Sequence, residues 1–152
     1  MCTRLKYRAE ADVFNDSVTE LYDFAIEEFT EPEKPMKADE ARLHLEAAEN
    51  FVDIAQVKAE GREENLRWAI EAYKKALGYF TIEKSKSEFA RIQNNLGNAY
   101  GSLSEVRDKE KNLQRAVNAF QEALKIYTLN DFPVQYAATK ANLGKRSWVR
   151  EK

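Results

Sequence analysis

Four scarcities narrow this 152-residue sequence before any pattern is sought. It has one cysteine, Cys2, so no disulfide can form within the chain, and that usage suits a reducing compartment. It has one histidine, His44, with no second histidine or cysteine cluster beside it, which gives a metal site no donor set. Glycine occurs five times and proline three, too few for a chain of hairpins or a sandwich. Nowhere do ~18 apolar residues run on without charge, and Met1 to Val13 hold no apolar core, so the expectation is a cytoplasmic protein with neither signal peptide nor membrane span. Gly-rich phosphate loops are also missing, Cys2 has no base near it in sequence, and the carboxylates read as solvated helix faces. The expectation is a protein without catalysis, metal or cofactor.

Charge is plentiful, at 33% of residues, and unevenly placed. Residues 1–64 carry 17 acids against 8 bases, for −9, whereas residues 65–152 carry 9 against 16, for +7. The ends of such a chain attract opposite partners, including each other. In the basic half, Lys145, Arg146, Arg150 and Lys152 surround Trp148. Acids are interleaved through most of that half and no nucleic-acid reading motif occurs, so nucleic acid is not the expected partner.

The strongest positive signal is internal. Residues 65–97 recur at 112–144 at a shift of 47 without a gap, with 11 of 33 pairs identical, among them Asn65/Asn112, Ala69/Ala116, Ala76/Ala123, Thr81/Thr128 and Gly97/Gly144. A period in the range of about 20–50 residues is the mark of a stacked array, in which each unit buries its apolar face on its neighbours. Leu66, Ala69, Ile70, Tyr73, Ala76, Leu77 and Phe80 follow the i, i+3, i+4, i+7 spacing of one helix face, as do Leu113, Ala116, Val117, Phe120, Ala123, Leu124 and Tyr127. A weaker copy precedes them: Leu21, Tyr22, Ala25, Ile26 and Phe29 match 119–127 at a shift of 98, with Thr30 on Thr128 and Pro35 on Pro133.

Further helices are expected over Met36–Glu60, Ser85–Arg107 and Pro133–Arg150, and a long one over Thr3–Phe29, broken near Asn15-Asp16-Ser17. Ser85-x-x-Glu88 reads as a capping box and Asp108 as a side-chain cap. Pro35 and Pro133 suit first-turn positions, and Gly61 suits a left-handed helix end. Leu45 to Leu66 spans four residues more than Leu96 to Leu113, which predicts an extra turn in the helix over 36–60. The sum is an all-α array of six antiparallel helices in one domain, 1–152: a partial repeat over 1–34, repeats over about 35–84 and 85–131, and a terminal helix over 133–150.

Asn95-Leu96-Gly97-Asn98-Ala99-Tyr100, followed by Ala116, Phe120 and Ala123, resembles the tetratricopeptide repeat family in a long-repeat variant. Ala69, Tyr73 and Ala76 match the same second-helix positions one repeat earlier. The likeness covers roughly 18–150 and departs from the family in its 47-residue unit, in Thr81 and Thr128 where the family has proline, and in Glu46 where the other copies have Gly97 and Gly144. It implies a helix-pair solenoid that binds a protein or peptide on the face of its first helices. Carried over, that face holds Arg91, Asn94, Asn98, Ser102, Lys145 and Trp148, with Glu40, Leu43, Asn50 and Phe51 from the first copy. Asparagines there would hold a peptide backbone, and Arg91 and Lys145 a carboxylate. The ordinary alternative is that Asn95 and Asn98 are structural consensus residues. Both ends read as half repeats: residues 1–17 fold as the missing partner, or the chain belongs to a longer array, or copies self-assemble, Trp148 and Val149 of one packing near the first helix of another.

Overall fold

The computed structural model describes residues 35–151, and side-chain surroundings through residue 147. Five α-helices account for the regular structure there, with no strand among the described residues: α1 (Ala38–Val57), α2 (Arg62–Leu77), α3 (Lys86–Ser104), α4 (Lys109–Leu124) and α5 (Pro133–Glu151). The chain is all-α over this span. The helix expected over Thr3–Phe29, with Cys2, lies outside the described residues. The bounds of α4 and α5 stand 47 residues after those of α2 and α3. The described residues divide into two compact units, one up to residue 79 and one from residue 80.

In the first unit α1 packs on α2. Ala41, Ala48 and Ala55, seven residues apart, are buried along α1 beside Leu45, Phe51 and Ile54, while α2 buries Leu66, Trp68, Ala69, Tyr73 and Ala76. Small residues at a fixed spacing let helix backbones approach, and the large ones between them supply ~1.5–3 kcal/mol each through burial. The rings of Phe51 and Trp68 meet tilted, with centroids 5.7 Å apart. The extra turn expected in this helix is not there: α1 ends at Val57, has 20 residues against 19 in α3, and leaves the helix through an extended Lys58. Glu46 is exposed, so the position of close approach is not the one that aligning Leu45 with Leu96 suggests; the buried alanines of α1 take that part.

In the second unit α4 packs on both α3 and α5, and α3 touches α5 more lightly. Ala90, Ala123 and Tyr127 form a buried cluster flanked by Ile126 and Phe132, with the Tyr127 and Phe132 rings 5.5 Å apart. Across α3 and α4, Gly97 faces Phe120, whose side chain is 0% exposed. A Cβ built on Gly97 would stand 2.6–2.8 Å from three ring carbons, so the repeat's glycine is required by its aromatic neighbour.

The connections carry the rest of the repeated letters. Gly61 (φ 71°) and Asp108 (φ 41°) both sit in the left-handed region just before α2 and α4. Gly61 is left-handed as expected, but it leads into α2 rather than ending α1. Asp108 occupies the cap position without making a side-chain cap, and Ser85 likewise makes none, so the capping box is not formed. The loops are held from inside instead. Asn65 Nδ2 donates to Gly61 O (2.9 Å) and Asn112 Nδ2 to Arg107 O (2.8 Å), which gives that identical pair a structural cause. Thr81 Oγ1 accepts from Lys84 N (3.3 Å) and Thr128 Oγ1 from Asp131 N (3.2 Å), so both threonines close the turn after a second helix. Pro133 opens α5 as expected, whereas Pro35 lies ahead of α1 rather than in its first turn.

Candidate interaction surface

Helix α3 positions four of the candidate residues on one side, at i, i+3, i+7 and i+11. Arg91 and Asn98 are exposed, Asn94 and Ser102 half-buried. Asn94 is already engaged: Thr139 Oγ1 of α5, 0% exposed, donates to Asn94 Oδ1 at 3.1 Å. Arg91 also reaches electrostatically toward Tyr127; burial pushes that phenol up, Arg91 opposes the shift and Glu88 adds to it. Of the first-copy candidates, Phe51 is a core residue against Trp68 and Glu40 is buried, while Leu43 and Asn50 are half-buried.

Glu40 belongs to a buried polar group with His44, the carboxylate oxygen 3.8 Å from His44 Nε2. Burial raises the Glu40 carboxyl, with the Lys37 amide and Lys75 pulling it back. Burial, helped by Lys75, lowers His44 to about 4, so the imidazole, 1% exposed, is neutral near pH 7. Lys75 is lowered by burial against the pull of Glu71 and Glu40.

Two residues that the spacing did not single out fix α5 to α3: Thr139, and Arg146. Arg146 is 13% exposed, pairs with Glu105 (3.5 Å) and lies over Gly101, where any Cβ would collide with the guanidinium. Leu143, Asn142 and Ser147 are half-buried on the same side of α5. The opposite side is open among the described residues. Val134 (75% exposed), Ala137, Ala138, Ala141 and Gly144 form a small apolar strip there, with Lys140 and Lys145 beside it. Trp148 follows in the same register, at i+4 from Gly144; its side chain and that of Val149 lie outside the described residues. A Cβ at Gly144 would meet no atom within 4 Å among the described residues, in contrast to Gly97 at the equivalent position of α3. Ala137 is exposed where its equivalent, Ala90, is fully buried.

Among the described residues no group of three His, Cys, Asp or Glu side chains could hold a metal, and no helix is long and apolar enough to cross a membrane. No protein-family model, no curated protein and no solved structure matches this chain.

Proposed function

We propose that this chain is a non-catalytic protein-interaction scaffold, a tetratricopeptide-like helix-pair solenoid working in the cytoplasm. The observation that supports it best is the open side of α5. Ala137 and Gly144 stand where α3 has Ala90 and Gly97, the small residues that receive α4, yet among the described residues they are exposed, in a strip with Val134, Ala138 and Ala141 and with lysines at the margin. Side chains this small cannot fill a neighbour's pocket; they let another backbone come close. Gly97 under Phe120 is the worked case within the same chain. The surface is therefore suited to a helix that offers large apolar residues and carries acids. Thr139–Asn94 and Arg146–Glu105 hold α5 against α3, so the surface is preformed and binding orders little on this side. Exposed Arg91 and Asn98 on α3, with Lys145 on α5, add polar contacts for a partner.

A photo-crosslinking amino acid at position 141, beside the same group at the exposed Lys111 of α4, tests the reading in cells. Discrete protein adducts are expected from position 141 and not from position 111. Equal or absent labelling at 141 would remove the surface from consideration.

A further inference from the structure

We propose that the occupant of the open side of α5 is the segment 18–30 of a second copy of this chain, so that copies join head to tail. The proposal rests on the scaffold reading above and names its partner. Three observations converge on it.

The first is the template. In the second unit, α4 packs on two neighbours, α3 before it and α5 after it, and its Phe120 ring lies over Gly97. Segment 18–30 carries the same pattern as α4: Tyr22, Ala25, Ile26 and Phe29 match Phe120, Ala123, Leu124 and Tyr127, and Pro35 follows as Pro133 follows α4. By that sequence register 18–30 precedes α1 as α4 precedes α5, and the pattern it shares with α4 is the one that α4 presents to a first-type helix at Gly97. Helix α5 is such a helix. Docked there, Tyr22 covers Gly144 as Phe120 covers Gly97.

The second is the missing neighbour of Gly144. The glycine is retained at a position where, among the described residues, nothing crowds it, and Ala137 is open where Ala90 is sealed. Glycine in a helix interior lowers stability by ~1 kcal/mol relative to alanine, so an uncrowded one is explained by a contact made elsewhere.

The third is charge. Segment 18–30 has four acids, Glu20, Asp23, Glu27 and Glu28, and no base, whereas the exposed Lys140 and Lys145 flank the open side of α5, whose sequence holds no acid before Glu151. The pair attracts, whereas two α5 helices, or two 18–30 segments, repel. That disfavours the symmetric, face-to-itself dimer and favours the heterologous contact, which closes into a ring or propagates.

The test uses two full-length variants, each disabled at one end. Ala137→Glu/Ala141→Glu changes exposed positions of α5 and leaves the core alone; Tyr22→Asp/Phe29→Asp changes the segment. Sedimentation velocity of wild type at low salt is expected to show species growing with concentration and shrinking at high salt. Each variant alone is expected to run as one chain. An equimolar mixture is expected to give a two-chain species and nothing larger, because one intact end remains on each partner. Should the segment variant lose its helical circular dichroism, Asp23→Lys/Glu27→Lys/Glu28→Lys replaces it, since it leaves the apolar positions unaltered. The proposal is overturned by a wild type that stays single-chain at the highest concentration it tolerates, by a mixture that stays single-chain, or by an α5 variant that assembles as wild type does. A single-chain wild type that still gives adducts to another protein from position 141 defeats this proposal alone; single chains without adducts defeat the scaffold reading as well.

Discussion

Replacing Gly97 and Gly144 by alanine, one at a time, should move stability in opposite directions, although the two glycines are repeat equivalents in the interiors of α3 and α5. Gly→Ala in a helix interior gains ~1 kcal/mol by narrowing the unfolded ensemble. At Gly144 nothing among the described residues opposes the gain, so Gly144→Ala should stabilise by about that amount, raising Tm by ~2–4 °C for a chain of this size. At Gly97 the new methyl would meet three carbons of the Phe120 ring at 2.6, 2.7 and 2.8 Å. The ring is 0% exposed and packed, with no solvent side to swing into, so the clash falls in the ~1–3 kcal/mol range of overpacking. After the propensity gain, Gly97→Ala should come out destabilising by up to ~2 kcal/mol. Trimming the ring, Phe120→Leu in the Gly97→Ala background, should recover part of that loss, a coupling that distant sites do not show. Urea unfolding followed by far-ultraviolet circular dichroism, on protein dilute enough to exclude association, reads all of these. A Gly97→Ala protein as stable as wild type, or a Gly144→Ala protein that is weaker, would refute the packing argument. Under the head-to-tail account Gly144→Ala also weakens assembly while strengthening the monomer.

His44 makes stability depend on pH. Its folded value of about 4 lies below the ordinary 6.5, so the unfolded chain takes up a proton that the folded chain refuses. The contribution is present above pH 6.5 and is lost as pH falls toward 4, by about 3 kcal/mol in all, and urea titrations of His44→Gln should lack that slope. Glu40, held above its usual value by burial, acts in the opposite sense over the lower part of the window. Thr139→Val should cost ~1 kcal/mol by removing the donor to Asn94 Oδ1, read by thermal melting against Thr139→Ser as the conservative control. Arg146→Ala should destabilise more than Glu105→Ala, because Glu105 is half exposed and the ion pair contributes under ~1 kcal/mol, whereas Arg146 also packs over Gly101. Gly61→Ala should cost ~1–2 kcal/mol in the same assay, since its φ of 71° is one that alanine resists.

The helices were legible because burial on one side imposes a 3.6-residue period that survives substitution, as in Tyr73 against Phe120 or Ile70 against Val117. Their ends were less so. Ser85 and Asp108 carry good capping side chains, but neither caps, and the loops are closed from Asn65 and Asn112 farther along, residues that stood out only as identities. The extra turn is absent from α1 because burial there follows the alanines at 41, 48 and 55 and not the alignment of Leu45 with Leu96. On the candidate surface, Arg91 and Asn98 are exposed, but Asn94 is held by Thr139. That bond depends on how α3 and α5 lie side by side, 45 residues apart, and no local pattern encodes it. Gly97 and Gly144 show the limit most plainly: one letter at one repeat position, crowded in one helix and open in the other.

The most direct test is a titration of a synthetic peptide spanning residues 18–30 into isotope-labelled full-length Tyr22→Asp/Phe29→Asp protein, followed by amide NMR shifts. Saturable shifts confined to the open side of α5, centred on Ala137, Ala141 and Gly144 and abolished by Ala141→Glu, are the predicted result. No saturable shifts, or shifts centred on α4 or on α1 and α2, would contradict it.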